Sequence, residues 1–596
     1  MLYPIIQSLI IILIYILLIY IYLYDIFSAK SLIFPYAIHP YDIINEKPDT
    51  WLNILKYFWY STYILCIVFL LSNVYKKYNT HKNSIRQNNK NKFFNDITNN
   101  IDKKLQKQIE NENTNIINNI SMQNELQLIL GFTQLGKIIH LGEKALNQNI
   151  LITGSIGTGK TSSAMYNLTE QLIKYSCNNN SKKLGILILD VKGNYHNFVK
   201  KVCNENNRTE DLYTISLDGN IKYNPLDKKD LKASVLANRL KQILLLFSPN
   251  NSESFWIDKA EQVIQEVIKY IRLYNNRYVT FTEIHKVIND YRYYYSKKKI
   301  IKEKLLANKY TPEEIYDINT SLDFLEKEFF KLDDRTLGIL RAEITRITNI
   351  FISDYSVQKT FCSKETEITF KGFKDLITNG KIVVLNINIA EYGELSKIIA
   401  SYLKLDFQTE ILKQLSQNNN IRQNVFISDE YQEYVTKNDA NFYSQSREAK
   451  CINIIATQSY TSLKNALKDE AATDVIIQSL VNKIWFRNDD VYTIEKAQSI
   501  IGKEEKEKTS KTLSESSNES NYNYLLKKFI SNNSNLSESI NNYTQFDYVY
   551  DTSEFSQKLK TFETITFLSN SANSLKVEKV KMIPHFLKKQ FLKNEC

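Results

Sequence analysis

The residues best equipped for chemistry are consecutive. Gly154-Ser155-Ile156-Gly157-Thr158-Gly159-Lys160-Thr161 fills every fixed position of the pattern G-x-x-x-x-G-K-[ST]. In such a loop the backbone N–H groups and the following helix N-terminus face anionic oxygens, the lysine reaches the β and γ oxygens, and the hydroxyl residue ligates Mg²⁺. The chemistry implied is the binding of ATP with Mg²⁺ through Gly154, Ser155, Gly157, Thr158, Gly159, Lys160 and Thr161. A chance Gly-rich turn is the alternative. The context argues against it, because an apolar run of strand length, Asn149 to Thr153, precedes the loop and a helical pattern from Thr161 to about Lys174 follows it.

Splitting a phosphoanhydride also needs charge neutralisation and a placed water. Val425-Phe-Ile-Ser-Asp429-Glu430 is an apolar strand ending in two acids. Asp429 is expected to hold Mg²⁺, directly or through water, and Glu430 to polarise the attacking water. Taken alone, the same six residues also describe a strand running into a solvated loop. Gln458 and Arg447 lie near ends of predicted strands, where doubly wound sheets place ligands. Gln458 is expected to sense the γ phosphate and Arg447 to act as an arginine finger in a neighbouring subunit. Spacing alone serves a strand-capping Gln and a helix-surface Arg equally well, and Asp190 with Lys192 is similarly ambiguous.

These residues need a scaffold. Short continuous apolar runs recur at Gly185 to Asp190, Lys381 to Asn388, Asn424 to Asp429, Cys451 to Thr457 and Val481 to Phe486. Runs of this kind are parallel strands buried on both faces. The interval between the first two is too long for a crossover and reads as helical from Phe255 to Lys374, with Thr311-Pro-Glu-Glu314 as a capping box. The fold class expected is α/β: a RecA-like P-loop core with a nested all-α domain. From Lys503 to about Asn542 the chain turns charged and then Ser- and Asn-rich, as a disordered insertion or flexible loop would.

Ahead of the core, Met1 to Tyr24 carries no charged side chain, and about 20 apolar residues suffice to cross a bilayer. The run lacks the basic start and small-residue cleavage site of a secretory signal. A second apolar run, Tyr57 to Val74, is followed by Lys76, Lys77, Lys82, Arg86, Lys90 and Lys92, which marks that end as cytoplasmic. The expectation is a two-helix transmembrane hairpin with both ends inside, then an Asn- and Lys-rich tether. The net charge of +11 at pH 7 suits nucleic acid or an anionic membrane but is spread too thinly to decide. Cys66, Cys177, Cys203, Cys362, Cys451 and Cys596 show no metal-ligand spacing and read as reduced structural residues. The expected organisation is thus a hairpin at 1–75, a linker at 76–129, a nucleotide-binding domain in two parts at 130–254 and 375–502 around the all-α insertion at 255–374, and a C-terminal segment at 503–596.

In order along the chain, Asp190-Val-Lys192-Gly193, Tyr223-Asn224-Pro225-Leu226, Phe255-Trp256, Asp429-Glu430, Ser446-Arg447-Glu448 and Ala456-Thr-Gln458-Ser459 resemble the TraG-type coupling proteins of type IV secretion. The resemblance covers about Gly131 to Gly502, and the hairpin and helical insertion match the family plan. It implies a membrane-anchored ATPase in the cytoplasmic (inner) membrane of a bacterium, multi-pass with its motor in the cytoplasm. It also implies assembly as a homohexamer, recruitment of sequence-nonspecific DNA with its bound relaxase, and delivery of DNA or protein to a type IV secretion channel during conjugation. The second motif departs from the family's Asp-Pro-Lys-Gly-Glu by lacking Pro and Glu, which puts its detailed role in doubt. Two other functions fit the same core: a septal DNA pump, and a receptor that docks protein effectors and binds ATP mainly to hold a ring. Tyr291-Arg-Tyr-Tyr-Tyr-Ser-Lys297-Lys298-Lys299 interleaves aromatics with bases as a DNA-stacking surface does, although a solvated helix face has the same pattern.

Overall fold

The computed structural model of the chain describes residues 125–247, 254–416, 422–517, 521–523, 528–530, 534–569 and 575–587, together with parts of the chain before 117. Met1–Gln108 and Ile109–Cys596 are separate units. Most of both apolar runs of the expected hairpin, and much of the tether, lie outside the described residues. Among the described residues no helix is long and apolar enough to cross a membrane. Residues 109–114 are helical, and the Asn113 side chain bonds Gly136 O and Ile138 N at 2.8 Å, so the end of the tether is tied to the first strands.

In chain order the strands are β1 (Gln127–Thr133), β2 (Ile138–Gly142), β3 (Ile150–Thr153), β4 (Gly185–Leu189), β5 (Leu212–Ile215), β6 (Ile382–Leu385), β7 (Asn424–Ser428), β8 (Cys451–Thr457), β9 (Asn482–Phe486), β10 (Lys503–Ser517), β11 (Asn521–Asn523), β12 (Lys528–Ile530), β13 (Ser534–Tyr548), β14 (Glu563–Ser569) and β15 (Leu575–Met582). Eleven of them form one sheet in the order β2-β1-β15-β14-β9-β3-β8-β7-β4-β6-β5. From β9 to β5 every pairing is parallel. The other four strands extend the β9 side antiparallel.

The five apolar runs read from the sequence are the parallel strands β4, β6, β7, β8 and β9, and they join β3. Their residues alternate between two cores, as the two-residue repeat of a strand requires. Leu151, Leu187, Leu189, Phe426 and Ile455 face the side that carries the helical insertion, while Ile150, Ile152, Ile186, Ile188, Val425 and Ile454 face the other. Burial on both faces explains why these segments show no polar alternation.

The insertion consists of helices Ser254–Tyr274, Phe281–Asn289, Tyr291–Leu306, Pro312–Asp323, Asp334–Ile352 and Tyr355–Phe361. Thr311 and Glu314 form the expected reciprocal capping box. The Tyr223-Asn224-Pro225-Leu226 motif is a joint between insertion and sheet domain. Tyr223 N–H donates to Thr360 O at 2.9 Å, and Asn224 Nδ2 to Val279 O at 2.8 Å. Its anchor is Asp406, fully buried in the Glu394–Lys413 helix, which pairs with Lys228 at 2.8 Å and Arg239 at 3.0 Å and accepts the Tyr223 hydroxyl.

One expectation is corrected. The Ser- and Asn-rich stretch after Gly502 is not an irregular loop: β10 and β13 pair antiparallel along their whole length, from Lys503 opposite Tyr548 to Ser517 opposite Ser534. Backbone hydrogen bonding between two strands needs no apolar face, so the ribbon carries none of the alternation by which strands are recognised.

Replacing Asp406 with Ala leaves two buried cations without their counter-charge. The expected loss is about 3–5 kcal/mol of folding stability, read as a lowered denaturant midpoint.

Candidate nucleotide site

The phosphate loop follows β3 directly. It is bonded to the ends of the two strands flanking β3: Gly154 N–H donates to Gln458 O at 3.2 Å, beyond β8, and Ser155 N–H to Arg487 O at 2.9 Å, beyond β9. Ser155 Oγ adds a bond to Asp489 at 2.9 Å, and Thr158 Oγ1 closes the loop onto Ser155 O at 2.8 Å. Gly157 and Gly159 have φ of +77° and +100°, a left-handed backbone that glycine adopts without strain. The following helix starts with a wide π-type stretch, Lys160–Met165, and continues as Tyr166–Lys174.

Lys160 is 7 % exposed, and its ammonium arches over the loop to Gly154 O and Ser155 O. Burial lowers its pKa, an effect countered by the nearby Glu430 and Asp429. Asp429, at the end of β7, accepts a hydrogen bond from Thr161 Oγ1 at 2.7 Å. The two predicted Mg²⁺ ligands, far apart in sequence, therefore touch. Burial pushes the Asp429 carboxyl up to about 6, against the lowering effect of the Thr161 bond.

Glu430 is held differently. Its backbone is left-handed at φ +49°, unusual for a non-glycine residue. Its carboxylate takes donors from Lys192 Nζ, Gln432 Nε2 at 2.6 Å and Gln458 Nε2 at 3.0 Å. Burial alone would raise its pKa, but the Lys192 ammonium and the two amides outweigh burial and hold it below the usual carboxylate range. Adjacent acids in one site thus have opposite proton affinities.

Gln432 is the site residue that the sequence reading missed, and Lys192, which it left ambiguous, belongs to the site through Glu430. The available signal was the position of Lys192 just beyond β4, on the same carboxyl edge as the loop. Asp190 holds that turn: its carboxylate accepts from Lys192 N at 2.9 Å, Asn194 N at 3.2 Å and Tyr195 N at 3.3 Å. The motif's missing Pro and Glu are not needed for these bonds, which are all to backbone N–H groups.

Gln458 lies where it was expected. Arg447 does not: it follows the Asn438–Ser446 helix and precedes β8, which puts it at the amino edge of the sheet, where it borders a cavity with Asn147, Gln148 and Val481. The helix runs back across the sheet before β8 begins, so its last turn lies opposite the edge that carries the loop. The Tyr291–Lys299 stretch is largely engaged within the insertion. Tyr293 bonds Glu283, Lys298 pairs with Glu326, and Lys297 lies over Tyr274 and Tyr293.

The donor set fits a magnesium nucleotide. Gly157 faces open space at the loop, a buried ammonium sits among acids and carbonyls, and Thr161 Oγ1 and Asp429 offer the hard oxygens that Mg²⁺ prefers.

Comparison with known proteins bears on the fold that carries this site. A family model described as the TraM recognition site of TraD and TraG matches residues 423–545. No curated protein matches the chain. Among solved structures, the unbound monoclinic form of the bacterial conjugative coupling protein TrwBΔN70 aligns with a TM-score of 0.51 at 13 % identity, over 78 % of this chain and 90 % of that one. The plasmid coupling protein TrwB in complex with ADP and Mg²⁺ aligns with a TM-score of 0.51 at 12 % identity, over 78 % and 91 %. At such identities the likeness is one of fold, a mixed α/β architecture with a large, mostly parallel sheet and a helical insert. The family match runs from β7 into β13 and includes the strand ends that carry Asp429, Glu430 and Gln458, so over these residues the chain is similar to TraD and TraG.

Proposed function

We propose that the chain is a conjugative coupling protein: an ATPase that drives DNA, with its relaxase, or protein substrates into a type IV secretion channel. The observation that carries the reading is the Thr161–Asp429 bond, which joins the phosphate loop to the strand acid across the sheet edge. Bound Mg-ATP supplies the phosphoanhydride to be cleaved. Lys160 and the loop N–H groups bind and orient its phosphates, and Thr161 and Asp429 hold the metal. Glu430, charged and fixed by Lys192, Gln432 and Gln458, takes the proton of the attacking water. Arg447, exposed and off its own chain's site, acts only if it reaches the site of a neighbouring copy in a ring.

Several further features support the assignment. The two apolar N-terminal runs and the basic residues after Val74 support a hairpin in the cytoplasmic membrane with the motor inside. A cleft of about 1210 Å³ at the amino edge of the sheet is bordered by Lys182, Lys371, Lys374, Lys413, Arg422 and Lys450, against fewer acids, and suits a polyanion such as DNA held through phosphates. The family description of residues 423–545 supports docking of a conjugation partner on that region.

The test is ATP turnover with and without single- and double-stranded DNA. Lys160→Ala is expected to abolish turnover, and Glu430→Gln to retain nucleotide binding while losing hydrolysis by about a hundredfold or more. Turnover indifferent to DNA, with secretion intact in Glu430→Gln, would instead identify an effector receptor. Because Lys192 holds the Glu430 carboxyl low, Lys192→Ala is expected to move the acid limb of the pH–rate profile to higher pH, with Lys192→Arg restoring it in part. Mg²⁺ affinity is expected to fall as pH drops through about 6, where Asp429 takes up a proton and stops acting as a ligand.

A further inference from the structure

The C-terminal strands bring two aromatic rings to the phosphate loop, and the hydrolytic chemistry uses neither. Phe562 leads into β14. Its N–H donates to Thr158 O at 3.1 Å, and its own carbonyl accepts from Met582 N at 2.8 Å. Between those bonds its backbone is left-handed, with φ of +70°. A bulky aromatic residue in that region is a strained outlier, and such strain collects at ligand clamps. The ring lies against Gly159, so close that a Cβ at that position would collide with it. Phe586 joins it edge-on at 6.2 Å and is itself 66 % exposed. The segment bearing Phe586 is fixed to the helix that follows the loop. Asn167 Nδ2 bonds Ile583 O, and His585 packs against Phe198 at 4.7 Å and Tyr166 at 6.2 Å.

We propose that Phe562 and Phe586 form the platform on which the base of the bound nucleoside triphosphate stacks. The inference rests on the nucleotide-site reading and deepens it. Phosphates seated on the loop tether the base to the loop's border. That border is lined by Asp429, Glu430 and Gln458 on one side and by the Ser155–Asp489 bond on another, all polar or charged. On the remaining side the Phe562 ring, with Phe586 edge-on beside it, offers the apolar aromatic face that a purine needs to stack on. It also accounts for the strained backbone, because the conformation that costs energy is the one that brings the ring over Gly159. Stacking reads the face of a base and not its edge, so this platform accepts ATP and GTP with similar affinity.

The test compares binding of Mg-ATP, Mg-GTP and Mg-tripolyphosphate to the full-length chain by calorimetry. Phe562→Gly is the informative variant, since it removes the ring while tolerating the positive φ. It is expected to weaken ATP and GTP about tenfold or more while leaving tripolyphosphate, which has no base, unchanged; Phe562→Tyr restores binding. Phe586→Ala, at an exposed position, is expected to give a smaller loss with the same selectivity. Equal losses for ATP and tripolyphosphate would show that Phe562 only supports the loop, and unchanged ATP affinity in both variants would place the base elsewhere; either result overturns the inference. A wild-type chain that binds neither ligand would overturn the nucleotide reading itself.

Discussion

Everything in the site depends on β3 being clamped, in register, between β8 and β9. Parallel pairing aligns Thr153 with Thr457 on one side and with Trp485 on the other, so three chains leave the sheet at the same level. That alignment lets the N–H groups of Gly154 and Ser155 find carbonyls at Gln458 and Arg487. The loop is therefore shaped from outside, by its neighbours' ends, as well as by its own glycines. β7 and β4 continue the same edge and deliver Asp429 and Lys192. An antiparallel pairing anywhere from β9 to β4 would send one of these groups to the wrong side of the sheet.

The electrostatics follow from how each turn leaves the sheet. Asp429 remains in the shadow of β7 with a neutral hydroxyl as its donor, so burial dominates and its proton is held tightly. Glu430, one residue further on, is turned by its left-handed backbone toward an ammonium and two amides. A single peptide unit thus separates an acid whose pKa burial raises from one that a neighbouring ammonium and two amides hold low.

Much of this was legible in the sequence. The phosphate loop is visible because its geometry demands particular residues at particular spacings, and the central strands because burial on both faces excludes polar residues from them. Thr311 and Glu314 announced a helix start for the same local reason. What stayed hidden depends on partners distant in sequence. Lys192 stayed ambiguous because its partner Glu430 follows β7, which lies beside β4; Arg447 was assigned to the carboxyl edge although it precedes β8 and so lies at the amino edge; and Phe562 sits on the loop only because the last strands fold back beside β9. The β10–β13 ribbon escaped because it lacks an apolar face by which to be seen.

That return of the chain's end has a consequence for how the molecule is made. β1 and β2, synthesised before the rest of the sheet, are hydrogen-bonded to the parallel strands only through β15 and β14, which follow every other strand of the sheet in the sequence. Closing this edge is a long-range event that joins the first strand of the sheet to its last, a slow step of the kind that high contact order imposes. Until it occurs, a nascent chain has its loop and its acids but an open sheet margin.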